Sequence, residues 1–361
     1  MNKDKDHIYY TVQIDNNLRE TGSDAPKLAH TNISTVNFIK HQQDYKLTVT
    51  SFELSGVIPI MIMPILENTN PNINDTIYGV CISYLGNDYA QRLIYTPDNK
   101  NILPRPPVNN GGKQDYTTNY YNVYTFEKIV SLINIALLAS YTAFNAVHPL
   151  VHGSAPHMIY NSETGLFSLI CEYSYTDLAK SKIYFNTHLM AIFDNIRYEF
   201  QGYDQPNFKV CEIMVYNKNY ENSYVLKGQT LPVPPANPVY IEMKQEYDTR
   251  YLASNIKSIF FTSNSIQTRP EFVPFGQIRA FNPNIKNILS SFDIVYESGK
   301  ISWREVIYYA PFIYKWINLI SNQSLNDIQL SINLLLFNGD TIPFYIPINK
   351  NVSIKLLFEE L

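Results

Sequence analysis

The stretch Tyr45-Lys-Leu-Thr-Val-Thr-Ser-Phe-Glu-Leu54 alternates apolar and polar side chains in the two-residue rhythm of a β-strand. Tyr45, Leu47 and Val49 fall on one face, and Thr48 and Thr50 on the other. Outward from it the same rhythm recurs. Residues 76–84 form a second strand candidate. Residues 92–95 follow the turn formers Gly86-Asn87-Asp88, which predicts a hairpin. Further strand-like runs lie at 166–173, 208–216, 239–246, 256–262, 288–297, 328–337, 342–348 and 352–358. Pro59 and Pro64 interrupt the apolar run 57–66, so that run is expected to leave the sheet.

One helix stands out, over residues 126–145. Phe126, Ile129, Ile133, Leu137, Tyr141 and Phe144 recur at three- and four-residue steps and make one apolar stripe. Thr125 is placed to cap its start, with Glu127 in the first turn. Ile135 and Leu138 on the other face predict burial on more than one side. Residues 187–195 read as a short second helix. Many strands, long loops and one embedded helix point to a mainly β fold, a jelly-roll β-sandwich.

Composition narrows the function. The chain has 361 residues, of which 45% are hydrophobic, enough for a sizeable core. Charged residues are 17%, against about 25% in an average domain. Tyr (29) and Asn (38) supply polar surface with few ions to desolvate, which suits permanent contacts between chains. The net charge of −4 lacks the basic excess of a nucleic-acid coat, so nucleic acid is not an expected partner. Neither the charged N-terminal stretch nor any apolar run reads as a secretory leader or a membrane span.

The sequence carries no catalytic or metal-binding pattern, so no catalytic, cofactor-binding or metal residues, no cofactor and no enzyme activity are expected. There is no GxSxG, P-loop or GxGxxG. His148, His152 and His157 lie close in sequence, but Pro149, Gly153 and Pro156 break the helix that would align them as ligands. Cys81, Cys171 and Cys211 lack metal or disulfide spacing and read as buried strand residues of a protein made in a reducing compartment. Glu359-Glu360 reads as a solvated chain end, and Trp303 and Trp316 as core residues.

The block Asp44-Tyr-Lys-Leu-Thr-Val-Thr-Ser-Phe-Glu-Leu-Ser-Gly-Val-Ile-Pro-Ile-Met61, the strand-into-helix block from Tyr120 to Leu137, the segment Ile256-Lys-Ser-Ile-Phe-Phe-Thr-Ser-Asn-Ser265, and the C-terminal blocks 318–332, 337–344 and 352–358 carry a resemblance. Together they resemble the minor capsid, or penton, proteins of virophages and polinton-like small icosahedral DNA viruses. The resemblance implies a jelly-roll virion protein, assembled in the host cell, that forms homopentamers at icosahedral vertices and meets the major capsid protein. The segment before Lys40 carries little core-forming pattern and is expected to be an N-terminal arm over 1–40; a single jelly roll needs about half the chain, so the jelly-roll domain over 41–361 is expected to hold insertions at about 96–157 and 217–238. Two alternatives remain at this stage: a double jelly-roll major capsid protein forming trimers, and a β-sandwich carbohydrate-binding module using exposed Tyr and Trp.

Overall fold

The computed structural model describes residues 7–15, 29–32, 39–54, 58–67, 72–97, 107, 112–116, 118–149, 151–176, 181–215, 223–224, 240–269, 287–293, 306–309, 315–344, 346 and 351–361. The strands begin with β1 (His7–Asp15), β2 (Ala29–Asn32), β3 (Tyr45–Leu54), β4 (Met61–Ile62), β5 (Asp75–Tyr84), β6 (Asn87–Ile94) and β7 (Asn122–Val123). Helix α1 (Phe126–Val147) precedes β8 (His157–Asn161), β9 (Leu166–Glu172), β10 (Ser181–Phe185), α2 (Thr187–Met190), β11 (Tyr198–Phe200), β12 (Cys211–Ile213), β13 (Ser223–Tyr224), β14 (Tyr240–Lys244) and α3 (Arg250–Ala253). The chain ends with β15 (Ile256–Ser263), β16 (Ile288–Asp293), β17 (Val306–Tyr309), β18 (Ile317–Asn318), β19 (Asp327–Leu336), β20 (Thr341–Pro343) and β21 (Asn351–Glu360).

Two sheets are built from the two ends of the chain. One runs β1-β21-β3-β17, with β18 added to β3; the other runs β16-β15-β19-β2, with β20 added to β19. They face each other across Phe52, whose ring lies 5.2 Å from Phe261 and 4.5 Å from Phe292. Among the described residues, no strand between β3 and β15 joins these two sheets, so in topological terms that stretch is inserted between their strands. Most of it forms a second pair of sheets, β11-β12-β10-β5-β6 and β13-β14-β9-β8. Phe193 joins that pair, 5.0 Å from Phe167 on β9 and 6.3 Å from Phe185 on β10. Of the segments expected as insertions, 96–157 falls in this stretch of the chain, while 217–238, apart from 223–224, lies outside the described residues.

The deciding strand holds a feature its alternation conceals. Leu47 and Val49 are buried, and so are Phe52 and Leu54, so the inward phase changes from odd to even within β3. The register explains it: Val49 pairs Leu356 and Ser51 pairs Lys355, leaving Thr50 opposite no residue of β21. That extra residue is a β-bulge, and it turns every later side chain over. The Thr50 hydroxyl donates to the Lys355 carbonyl at 3.1 Å.

Helix α1 begins where expected. Thr125 Oγ1 accepts from the Lys128 amide at 3.2 Å. Phe126, Ile129, Ile133, Leu137 and Phe144 are buried, and the helix packs on β5, β6 and β8. Ser140 enters the β5–β6 hairpin, accepting from the Ile82 amide at 3.1 Å and donating to the Tyr89 carbonyl. One expectation is corrected. Ile135 and Leu138 are each 56% exposed, so the helix is buried on one side only. At 22 residues it is long and apolar enough to cross a membrane by length and composition, which the separate apolar runs were not; its buried stripe is seated on strands.

Two more expectations change. Within 1–40, read as an arm, His7–Asp15 is a full strand: it pairs residue for residue with β21, from His7↔Glu359 to Asp15↔Asn351, and Val12 is fully buried. The C-terminal pair is a solvated end only at Glu360, which is exposed. Glu359 carboxylate oxygens lie 2.9 Å from Lys46 Nζ and 3.4 Å from His7 Nε2, joining β1, β21 and β3. The proline-bearing run leaves the β3 sheet: Ile58, Ile60, Met61, Ile62, Met63 and Ile65 are buried, Met61 and Ile62 pair with β7, and Ile65 bridges Thr76 of β5.

Candidate functional site

The amide side chains that composition assigned to contact surfaces have a large internal task. Asn255 Oδ1 accepts from the Ile62 amide at 2.9 Å while its Nδ2 donates to the Ile62 carbonyl at 2.8 Å. Asn134, on α1, does the same for Met158 at 2.6 and 2.9 Å, and so covers part of the edge of β8. Gln114 spans Ile65 N and Met63 O; Asn186 spans Gly79 N and Ile77 O. A carboxamide has one acceptor and a donor group in one plane, as a peptide unit does, so it completes a ladder where no strand is available. Tyrosine divides likewise. Tyr95 and Tyr175 are fully enclosed, and Tyr95 donates to the Tyr120 carbonyl at 2.6 Å.

What remains exposed is a set of edges and tips. Strand β11 ends its sheet with Tyr198 and Phe200 outward, and Tyr203 in the next turn packs edge-on to Phe200 at 4.8 Å. The hairpin tips carry Leu85 and Phe337. On the edge strand β1, Tyr9 is 58% exposed under Lys355 Nζ, 5.3 Å from its ring. Trp316 is half-buried beneath Lys46 Nζ at 4.3 Å, so it is no open platform for a sugar ring; Trp303 lies outside the described residues.

The three clustered histidines do not converge. His148 is the C-terminal cap of α1, His157 starts β8, and His152 is buried between Ser174 and Ser181. Among the described residues no group of three or more His, Cys, Asp and Glu is arranged to hold a metal. Cys81, Cys171 and Cys211 are buried and unpaired with one another. Burial, helped by the Asp88 charge, pushes the Cys81 thiol up to about 12. Desolvation raises the other two as well. A thiol so shifted is a poor nucleophile. The buried Glu212 carboxylate is also engaged: its Oε2 accepts from Lys182, Tyr184 and Gln201 at 3.0, 3.1 and 3.1 Å.

Comparison with known proteins gives this surface its setting. Residues 8–360 match the family described as Sputnik minor capsid protein V18/19. Structural protein V19 of Sputnik virophage is 26% identical over 203 residues, 55% of this chain and 91% of V19. Protein V18 of the same virophage is 28% identical over 159 residues, 43% of this chain and 92% of V18. A chain of the Sputnik virophage particle solved by cryo-electron microscopy at 3.5 Å aligns with a TM-score of 0.78 and 26% identity, over 98% of each chain. The crystal structure of the mavirus penton protein aligns with a TM-score of 0.64 and 14% identity, over 99% of this chain and 100% of that one. The last likeness concerns the fold, and it agrees with the jelly-roll class expected from sequence. With a family match running almost end to end, the chain belongs to the Sputnik minor capsid protein V18/19 family.

Proposed function

We propose that the chain is a penton-type minor capsid subunit that assembles as a homopentamer at the five-fold vertices of a virion, against the major capsid protein, and performs no catalysis. The observation that carries this reading is the end-to-end likeness to a chain of the Sputnik virophage particle, over 98% of both lengths at 26% identity. Exposed aromatics on a sheet edge, and Leu85 and Phe337 at hairpin tips, fit a surface completed by neighbouring subunits. Buried, unpaired thiols fit production in the reducing compartment of a host cell. The major-capsid alternative required two similar barrels. Among the described residues the terminal sheets and the inserted sheets differ in strand order, and the long helix packs on the inserted pair.

Mass photometry of the purified chain, with quantitative mass spectrometry of purified particles, tests the reading. It expects a discrete five-subunit mass and a copy number far below that of the main shell subunit. A chain that stays monomeric at every salt and pH, or equals the main subunit in abundance, overturns it.

A further inference from the structure

His152 sits at a junction of three parts of the inserted unit. Its Nδ1 lies 2.7 Å from Ser174 Oγ and its Nε2 lies 2.8 Å from Ser181 Oγ. The ring stacks on Tyr175 at 3.7 Å and 12°, and meets Phe144 of α1 at 5.3 Å. Its carbonyl accepts from the Tyr141 hydroxyl at 2.8 Å. The hydrogens can be assigned. Ser174 donates its only hydroxyl hydrogen to Glu172 Oε2 at 3.2 Å, so it must accept from His152 Nδ1–H. Nε2 is then bare and accepts from Ser181. The circuit Ser181→His152→Ser174→Glu172 is complete for a neutral ring. Glu172 Oε2 also accepts from the Gly153 amide at 2.8 Å, and a Cβ at Gly153 would stand 2.8 Å from Glu172 Oε1.

A second proton on His152 reverses the Nε2 bond: Ser181 Oγ must turn round to accept it at 2.8 Å. The hydroxyl hydrogen of Ser181, a residue only 3% exposed at the start of β10, then loses the imidazole acceptor it has with a neutral ring, and the ring itself becomes a buried charge. We propose that His152 is an acid-released latch: protonation of its ring breaks this hydroxyl circuit and frees the segment after α1 from β9 and β10.

The surrounding charges allow such a release at acid pH. The titratable groups around the ring are Glu172 at the end of β9, whose charge acts on it, and Tyr175 from the turn after β9, stacked on it; Tyr141 from α1 bonds the His152 carbonyl, His148 from α1 packs on the other neighbour Phe144, Cys171 of β9 acts on Tyr175, and Lys182, next to Ser181 on β10, is held by Glu212 at 3.0 Å. Burial depresses the His152 pKa to about 4, against the opposing pull of Glu172. The folded chain thus binds this proton less readily than the unfolded chain, whose histidine titrates near 6.5. The stabilisation is complete above pH 6.5 and is lost as pH falls toward 4, with the unfolding equilibrium rising up to about tenfold per pH unit.

Hydrogen exchange at pH 7 and pH 4.5, corrected for the intrinsic pH dependence of the amide rates, tests the latch on the full chain. Peptides covering 148–156 and 181–185 should open at pH 4.5 in the wild type. They should stay protected in His152→Gln, which keeps one donor and one acceptor but cannot protonate, and should open as usual in His157→Gln. Equal acid opening in the wild type and His152→Gln, or none in the wild type, overturns the proposal. Should His152→Gln not fold, histidine-selective NMR titration of the wild type decides. One imidazole that stays neutral below pH 5 and titrates in step with the opening supports the latch; seven that all titrate between pH 6 and 7 sink it.

Discussion

At the scale of single residues, the constraints are steric contacts and polar pairings that no composition discloses. Gly79 lies in β5 where a Cβ would stand 2.5 Å from the Phe208 ring. Phe208 holds a positive φ of 63°, is covered by Arg92 at 5.0 Å, and sits in a turn that Asp88 fastens through Lys209 at 3.0 Å and Asn207 at 3.2 Å. The ring has little room to retreat. Gly79→Ala should therefore destabilise the chain by about 1–3 kcal/mol, as overpacking does, read from chemical denaturation. Asn255→Leu tests the peptide-like amides. It leaves both polar groups of Ile62, a buried residue, without their partner. Each such loss costs about 1–3 kcal/mol, so a total of at least about 2 kcal/mol is expected; a neutral variant would show that water replaces the amide at no cost. These amides were legible as counts and not as directions, because nothing local tells an inward Asn from an outward one.

Elements show where periodicity is a sufficient guide and where it is not. α1 was legible because cap, stripe and length all lie within one continuous segment. Its exposed apolar side was misread, since a helix with Ile135 and Leu138 opposite its stripe looks enclosed until the neighbouring elements are placed. The contrast gives a paired test. Leu137→Ala removes a fully buried side chain and should cost about 2–5 kcal/mol. Leu138→Gln, one residue on and 56% exposed, should change stability by less than about 0.5 kcal/mol. Thermal or denaturant midpoints of the two variants check this, and a large loss in Leu138→Gln would mean that this face is covered in the isolated chain. β3 teaches the converse. Its strand character was evident, but the phase reversal at Thr50 depends on a register with β21 some three hundred residues away. Phe208 was read as the start of a strand, and it lies in a tight turn whose φ values only the packing against Gly79 and Asp88 accounts for.

At the scale of the whole molecule, the chain closes on itself. β1 at one end and β3 beyond it both flank β21 at the other, so the terminal sheet exists only when the ends meet around the inserted unit. This non-local closure is why 1–40 looked like an arm: β1 is partly polar, and the partner that gives it a register is the last strand. It is also why the extent of the insertion could not be read from composition. Removing residues 1–15 tests the closure. The fully buried Val12 side chain would be gone from the core, and Glu359 would lose His7 while keeping Lys46. The loss should be at least about 1.5–3 kcal/mol from the valine side chain, before the ladder to β21 is counted. A ten-residue edge bearing Val352, Ile354, Leu356 and Phe358 would then lack its outer neighbour. Such an edge recruits strands from other chains without a fixed stoichiometry. Light scattering after size-exclusion chromatography should therefore show the truncated chain as a broad, concentration-dependent series of masses, where the full chain gives one discrete assembly. A truncated chain that keeps both the stability and the discrete mass would show that β1 is dispensable and that β21 tolerates an open edge.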